Sequence, residues 1–150
     1  MSTTLYRNLV IALSLVFSTQ ASAQGDVAEG EKVFRKCMAC HTVEENGPSR
    51  VGPNLHGVVG RTTATMENYA YSDAMKKMGE EGHVWSAEEL DTYLENPRQA
   101  VPGTKMAFVG LKKPEERANV IAYLQSLSPD GATAAPSEDA ATDAESAPAN

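Results

Sequence analysis

The sequence predicts an all-α domain whose helices are joined by long loops. Apolar residues recur at intervals of three and four along several segments, which is the spacing of one helix face. No segment shows sustained alternation of apolar and polar residues, so no strand is predicted. Two stretches punctuated by Gly and Pro, residues 44–70 and 97–113, are long for connections in a small domain. They need something to wrap around, because structureless segments beyond about 12 to 15 residues are otherwise uncommon.

The beginning of the chain has the pattern of a cleaved secretory signal peptide. Arg7 precedes an apolar run over residues 9–17, and Ala21, Ser22 and Ala23 form an A-x-A cleavage site. The alternative, an uncleaved membrane anchor, would need roughly 20 apolar residues. We therefore expect residues 1–23 to be removed after Ala23 and the mature protein to be exported to the periplasm.

The end of the chain, residues 130–150, predicts a disordered tail. It combines Ala, Pro, Ser and Thr with acidic residues and contains no larger apolar side chain. Such a segment cannot bury enough surface to offset the entropy lost on ordering. The folded domain is therefore expected over residues 24–129.

Composition limits what this domain can be. The formal net charge of −7, without a basic block, argues against nucleic acid as the main partner. A domain of this size buries only about two thirds of its unfolded surface. Aromatic residues make up only 6% of the chain, so something else is expected to fill the core. The two cysteines, Cys37 and Cys40, are too few and too close for a disulfide framework.

The first two predicted helices flank the earlier loop. One covers residues 26 to about 36, with one apolar face that runs directly into the cysteines and contains Val27, Gly30, Val33 and Phe34. The other, shorter helix is expected from Asp73 to Met78.

The last two predicted helices have clearer boundaries. Residues 86–89 form a capping box from Ser86 to Glu89, and the helix must end near Asn96 because Pro97 follows. Pro114 is a good first residue for the final helix. The apolar stripe of that helix, which precedes Pro129, consists of Val120, Ile121, Leu124 and Leu127.

The motif that carries chemistry is CMACH, residues 37–41, which has the C-x-x-C-H pattern of c-type haem attachment. Thiols at positions i and i+3 share a helical face and can form thioethers with two vinyl groups. The following His41 can place its imidazole beneath the iron. A covalent haem would supply the missing apolar bulk and would consume both thiols.

Three alternatives to haem attachment fit the motif less well. A thioredoxin-like redox pair would need a βαβ context, which the sequence lacks. A zinc site would need His56 or His83 as a further ligand and would place adjacent Cys40 and His41 on one ion. A chance occurrence in a buried helix is the third alternative.

Several further stretches occur in an order and spacing that is highly specific. They are Gly30 and Phe34, GPNLHG at 52–57, Gly60, Arg61, Trp85, YLENP at 93–97, PGTKM at 102–106 and IAYL at 121–124. With CMACH, they resemble the class I cytochrome c family, in particular its bacterial cytochrome c2 type, which is close to mitochondrial cytochrome c. The resemblance covers the whole core. It implies the small cytochrome c fold, with helices and long loops wrapped around one covalently bound haem.

Among the six methionines, Met106 has a distinct setting. Its Pro-Gly-Thr-Lys-Met loop could turn sharply and present a thioether to the iron, whereas Met38, Met66, Met75 and Met78 lack such a loop. The resemblance makes Met106 the sixth iron ligand, opposite His41. A closed His/Met site leaves no vacant position for dioxygen or substrate, and Met ligation raises the potential.

The resemblance also implies roles for residues around the haem. His41 is expected to donate its other ring N–H to the carbonyl of Pro53, which fixes the imidazole. The Tyr93 hydroxyl is expected to reach the Met106 sulfur. The residues expected to hydrogen-bond or neutralise the haem propionates are Arg61, Tyr71, Trp85 and Thr104. His56 and His83 are expected to be ordinary hydrogen-bonded or surface histidines, and Gly30 and Tyr123 to serve helix packing.

The resemblance implies an electron carrier and not an enzyme. We expect a soluble, monomeric periplasmic shuttle in the respiratory or photosynthetic chain, with no small-molecule substrate. It would take electrons from a quinol:cytochrome c oxidoreductase and pass them to a terminal oxidase or a reaction centre. Its expected docking face is a haem edge rimmed by lysines, namely Lys36, Lys105, Lys112 and Lys113, with Lys76 and Lys77 as an extension. A haem peroxidase and a binding module with an interacting acidic tail are the alternative classes.

Overall fold

The computed structural model describes residues 25–128, and these form five helices without a named strand. The all-α prediction is therefore confirmed for this part of the chain. Its one extended pairing is an isolated antiparallel bridge between Thr62 and Val84. None of the described helices is both long and apolar enough to span a bilayer. The predicted leader, residues 1–23, and the predicted tail, residues 130–150, lie outside the described residues.

Helix α1, Val27–Phe34, begins at an N-cap, where the Asp26 carboxylate accepts a hydrogen bond from the Glu29 amide at 2.7 Å. The helix ends two residues earlier than predicted. From there the chain continues in turns, since the amide of Cys37 donates to the carbonyl of Phe34 at 2.7 Å. The amide of His41 donates to the carbonyl of Cys37 at 3.0 Å. The C-x-x-C-H motif therefore lies on a compact turn directly after α1.

Helices α2, Asp73–Glu80, and α3, Ala87–Glu95, begin at serine N-caps. Helix α2 extends two residues beyond the predicted end. The Ser86 hydroxyl accepts from the Glu89 amide at 3.1 Å, as a capping box requires. The second bond of a capping box, from the Ser86 amide to the Glu89 carboxylate, is not among the described hydrogen bonds. The Ser86 amide donates to the Val84 carbonyl. The Glu89 carboxylate instead contacts His83 at 3.2 Å, so the prediction of a complete capping box is wrong.

The final two helices both start with proline. Helix α4, Pro97–Ala100, is one short turn inside a segment predicted as loop, and Pro97 ends α3 and begins α4 because its ring fixes φ and removes an N–H. Helix α5, Pro114–Ser126, begins at the predicted proline, with Val120, Ile121 and Leu124 buried. Leu127, the last residue of the predicted apolar stripe, is the C-cap and is only half-buried.

Helix α1 packs closely against α5 because Gly30 lacks a side chain. A Cβ atom at Gly30 would lie 2.0 Å from the carbonyl oxygen of Asn119 and 2.7 Å from the Cβ of Tyr123. The rings of Phe34 and Tyr123 lie 5.4 Å apart beside this contact. The predicted packing role of Gly30 and Tyr123 is confirmed, and this pair of helices forms one wall of the core.

Helix α3 is joined to α5 by a buried cation. Arg117 is 6% exposed and donates from Nε to Asp91 at 2.7 Å and from Nη1 to the carbonyl of Leu111 at 3.0 Å. These bonds anchor the segment between α4 and α5, which contains the predicted Met106 loop, to the helical core.

Candidate haem-binding cavity

An apolar cavity of about 300 Å³ lies within the described part of the chain. Its lining comes from α1, α2, α3, α5 and the loops between them. The apolar lining includes Phe34, Leu55, Val58, Leu90, Leu94 and Leu124. Cys37, Cys40, His41 and Met106 line the same cavity, so two distant segments bring thiols, an imidazole and a thioether into one space.

The cysteine environment separates the alternatives left open by the motif. Burial raises the pKa of Cys37 to about 11, against a smaller opposing effect of Lys36. A thioredoxin-like nucleophile requires a lowered thiol pKa, so Cys37 lacks that chemistry. Residues 25–128 contain no group of three or more His, Cys, Asp or Glu side chains arranged to hold a metal ion.

The imidazole of His41 is held in a defined orientation. Its Nδ1 lies 2.7 Å from the Pro53 carbonyl oxygen, which can only accept, so Nδ1 carries the proton. Burial lowers the pKa of His41, which favours the neutral ring. The lone pair is then on Nε2, the atom available to a metal. A Cβ at Gly52 would lie 2.4 Å from His41 Cε1, so only glycine lets this segment approach the ring.

The Met106 side chain is held by a small polar group. The Tyr93 hydroxyl donates to Met106 Sδ at 3.4 Å and lies 2.9 Å from Thr104 Oγ1. The amide of Met106 donates to the same threonine oxygen at 3.2 Å. The sharp turn before it contains Gly103 at φ +91°, a conformation that glycine adopts without strain.

The four residues expected at the haem propionates, Arg61, Tyr71, Trp85 and Thr104, all line the cavity. Arg61 donates to the carbonyls of Asn54, at 3.0 Å, and His56, at 3.2 Å. The Trp85 amide donates to the Arg61 carbonyl at 3.0 Å. Burial raises the pKa of Tyr71, which keeps its hydroxyl protonated. Thr104, by contrast, makes its described side-chain hydrogen bonds with Tyr93 and Met106.

The ring nitrogens of His83 are both hydrogen-bonded to nearby polar side chains. His83 is hydrogen-bonded through Nδ1 to Thr63 Oγ1 at 2.7 Å and through Nε2 to Glu89 at 3.2 Å, as predicted for an ordinary histidine. Neither His56 nor His83 lines the cavity.

Two features of the site are not apparent from the sequence pattern. Met75, on α2, is buried and lines the cavity, so a second thioether faces the same space as Met106. Thr42 and Asn54 form a buried hydrogen bond beside His41 and Pro53. The helical position of Met75 could have indicated burial, but the contact between residues 42 and 54 depends on how the loops fold.

These residues fit a c-type haem. The two thiols and the imidazole lie on one turn, the thioether comes from another loop, and the lining between them is mainly apolar. The Arg61 cation and the Tyr71 hydroxyl in the lining suit carboxylates such as the two propionates.

Comparison with known proteins agrees with this geometry. The family profile described as Cytochrome c matches residues 27–128. A cytochrome c2 from Agrobacterium tumefaciens is 50% identical over 101 residues, which cover 67% of this chain and 91% of that protein. A cytochrome c from Gibberella zeae is 49% identical over 104 residues, with coverage of 69% and 95%. The solved structure of cytochrome cH from Methylobacterium extorquens is 46% identical with a TM-score of 0.61, covering 68% of this chain and 99% of that one.

Proposed function

The chain belongs to the cytochrome c family, and from that premise we propose that it is a periplasmic one-electron shuttle whose haem iron is ligated by His41 and Met106. The protein adopts the cytochrome c fold, carries one covalently attached c-type haem and transfers electrons; it is not an enzyme. The ligand pair, the compartment and the partners are the parts that we propose.

The arrangement around Met106 is the observation that carries the proposal. Of the two methionines that line the cavity, Met106 is the one whose sulfur accepts a hydrogen bond from Tyr93. His41 leaves Nε2 available because Nδ1 is engaged by Pro53. Two ligands that are already oriented by hydrogen bonds form a closed site, in which oxidation and reduction require little movement of the protein.

The haem supplies a one-electron couple, and the chain's own residues set its surroundings. His41 is a strong donor because its N–H bond to Pro53 increases the basicity of the ring. The thioether of Met106 favours the reduced state and raises the potential. The largely apolar lining would exclude water, and Arg61, Tyr71 and Trp85 would hold the propionates, whose charge the Arg61 cation would partly neutralise.

A peroxidase-like reaction finds little support in the same cavity. Such chemistry needs an acid/base group near an open coordination position. The described lining contains no Asp or Glu, and its one histidine is His41. Electron transfer at a closed site therefore fits the lining better than peroxide chemistry does.

The proposed partners are membrane redox complexes: a quinol:cytochrome c oxidoreductase as donor, and a terminal oxidase or photosynthetic reaction centre as acceptor. Lys36 and Lys105 line the cavity. Lys36 is paired with Glu116, whereas the Lys105 ammonium donates to two backbone carbonyls and so contributes net positive charge there. A small, transient interface steered by charge would suit rapid turnover of partners.

The absorption spectrum of the purified ferric protein tests the ligand pair. We expect a low-spin spectrum with the far-red charge-transfer band of Met-to-iron coordination. The band should be absent from Met106→Ala and present in Met75→Ala. A wild-type spectrum without the band, or a band lost only in Met75→Ala, would contradict the assignment of Met106.

The compartment has its own test. Expression of the full chain in a bacterium with a haem-attachment system should yield protein in the periplasmic fraction that begins at Gln24. Intact mass of this fraction should equal residues 24–150 plus one haem. A mass that includes residues 1–23, or protein confined to the membrane fraction, would contradict export with cleavage after Ala23.

A further inference from the structure

Two short backbone segments flank the His41 imidazole. The Gly52 amide donates to the Cys40 carbonyl at 2.8 Å, and the Leu55 amide donates to the Thr42 carbonyl at 2.8 Å. The bond from His41 Nδ1 to the Pro53 carbonyl lies between these two backbone bonds. Residues 40–42 and 52–55 therefore hold the imidazole through consecutive contacts.

The side chain of Asn54 ties these segments to the loop between them. Asn54 is 2% exposed, and its Nδ2 donates to Thr42 Oγ1 at 2.8 Å and to the Glu44 carbonyl at 3.0 Å. Its Oδ1 accepts from the His56 amide at 2.8 Å. Both amide protons and the amide oxygen are thus used within a buried site.

Thr42 completes the network. It is 4% exposed, and its hydroxyl donates to the Pro48 carbonyl at 2.7 Å while it accepts from Asn54. Since Thr42 follows His41 and Asn54 follows Pro53, the side-chain bond joins the residues next to the ring and its acceptor. A satisfied buried network of this kind is rigid, because breaking one bond leaves its partner unsatisfied away from water.

We propose that Thr42 and Asn54 are positioning residues for the iron ligand, and that their buried hydrogen bonds hold the Pro53 carbonyl against His41 Nδ1. The inference rests on the proposed ligation by His41. The network acts through Pro53, whose carbonyl increases the basicity of His41 and stabilises the oxidised iron. Loosening the network therefore weakens the N–H bond, makes the ring a poorer donor and raises the potential.

The test measures His41 itself and not only protein stability. In the reduced, diamagnetic protein, exchange of the His41 Nδ1 proton with water is followed by NMR, and the midpoint potential is measured by titration. Thr42→Val removes the hydroxyl with little change of volume, whereas Thr42→Ser keeps it. Asn54→Ala removes the other partner. Asn54→Ala breaks several bonds and can prevent folding. The comparison of Thr42→Val with Thr42→Ser is therefore sufficient to test the proposal.

Thr63→Val is the matched control. Thr63 is 1% exposed, and its hydroxyl is bonded to His83 at 2.7 Å and not to a residue of the Thr42–Asn54 network. Thr63→Val, like Thr42→Val, loses a hydrogen bond of a buried hydroxyl. The free energy of unfolding should therefore fall by a similar amount in the two variants.

We expect Thr42→Val to speed exchange of the His41 proton by roughly five- to tenfold, the effect of losing one net hydrogen bond. The midpoint potential of Thr42→Val should rise. Thr42→Ser should match the wild type, and Thr63→Val should change neither the exchange rate nor the midpoint potential. If Thr42→Val behaves like Thr63→Val, the network is only structural and the positioning role is wrong, while the His/Met assignment stands. A wild-type haem that is not ligated by His41 would overturn both the positioning role and the His/Met assignment.

Discussion

The hydroxyl of Tyr93 lies 3.4 Å from the sulfur of Met106, and this contact connects α3 to the loop that precedes α5. Burial raises the pKa of Tyr93, against the smaller lowering effect of Thr104, so the phenol stays protonated and donates. A donated proton withdraws electron density from the thioether. The tyrosine therefore both orients the proposed ligand and weakens it as a donor to the oxidised iron.

Replacing Tyr93 with phenylalanine should lower the midpoint potential. Without the hydroxyl, the Met106 sulfur becomes a better donor and stabilises the oxidised state. The shift should be on the order of 20 to 40 mV, given about 1 kcal/mol for a net hydrogen bond and 59 mV per tenfold change in a one-electron equilibrium. Voltammetry of both proteins measures it.

Tyr123→Phe is the control for that experiment, since Tyr123 packs on Phe34 and does not line the cavity. It should leave the potential unchanged. An equal shift in both variants, or an increase in Tyr93→Phe, would show that the hydroxyl does not act on the sulfur.

Met106→Ala and Met75→Ala should separate ligand from core side chain. Met106→Ala should keep the haem attached, lower the potential and let the reduced protein bind carbon monoxide readily, since one coordination position opens. Met75→Ala should leave carbon monoxide binding slow and lower the free energy of unfolding by about 2 to 4 kcal/mol, because it creates a cavity beside buried neighbours. Rapid carbon monoxide binding by the wild type would favour an open site.

Local patterns in the sequence were sufficient to predict the elements that depend on nearby residues. The serine N-cap of α3 and the proline start of α5 are set by neighbours within a few positions. Helix α4 was missed because four residues after a proline carry too little periodicity to distinguish a turn of helix from a loop.

The contacts that the sequence does not predict, in the fold and in the site, depend on how separate segments come together. Glu89 has the spacing of a capping box, but His83 is brought to it by the bridge between Thr62 and Val84. Asn54 and Thr42 are 12 positions apart, and nothing in either residue's local pattern indicates that they meet. The resemblance led to Pro53 and Tyr93, whose bonds to His41 and Met106 are present in the structure, although it did not lead to the side chains that support Pro53.

Gly52→Ala should disturb the His41 ring directly. Gly52 does not have a positive φ, so its backbone tolerates alanine, yet the added Cβ would lie 2.4 to 2.7 Å from three ring atoms. We expect an altered low-spin spectrum and a loss of about 1 to 3 kcal/mol in the free energy of unfolding, as for other overpacked sites. Optical spectra and denaturant unfolding measure the two effects.

Gly82→Ala is the control for the glycine substitution. Gly82 has φ +81°, and no atom beyond its chain neighbours lies within 4 Å of the position that a Cβ would take. Alanine there therefore adds backbone strain without a new contact. It should lower stability and leave the spectrum unchanged. A normal spectrum in Gly52→Ala would mean that the segment shifts without moving the imidazole.

The structure changes which lysine best tests docking. Lys36 pairs with Glu116 at 2.6 Å, and Lys112 donates to the Glu95 carbonyl at 2.6 Å. Lys105 donates to the carbonyls of Ala70, at 2.9 Å, and Tyr71, at 3.0 Å. Charge reversal at Lys105 would therefore also release the Met106 loop from the segment it contacts, and slower electron transfer would have two explanations.

Lys113→Glu should slow electron transfer to a purified cytochrome c oxidase without changing the haem spectrum. Within residues 25–128 the Lys113 side chain makes no hydrogen bond or ion pair, so its reversal breaks no such bond, although it removes a cation that acts on nearby Glu116. The rate should fall on the order of threefold at low ionic strength, because a charge at the rim of an interface acts mainly on association. The difference should shrink at physiological salt, where screening acts over about 8 Å. Lys32→Glu makes the same charge change on α1, where Lys32 pairs with Glu29. Neither Lys113 nor Lys32 lines the cavity, but Lys113 acts on Glu116, the partner of the cavity-lining Lys36, so Lys32→Glu should have the smaller effect. Rates that rise with salt, or equal losses in the two variants, would place the docking face elsewhere.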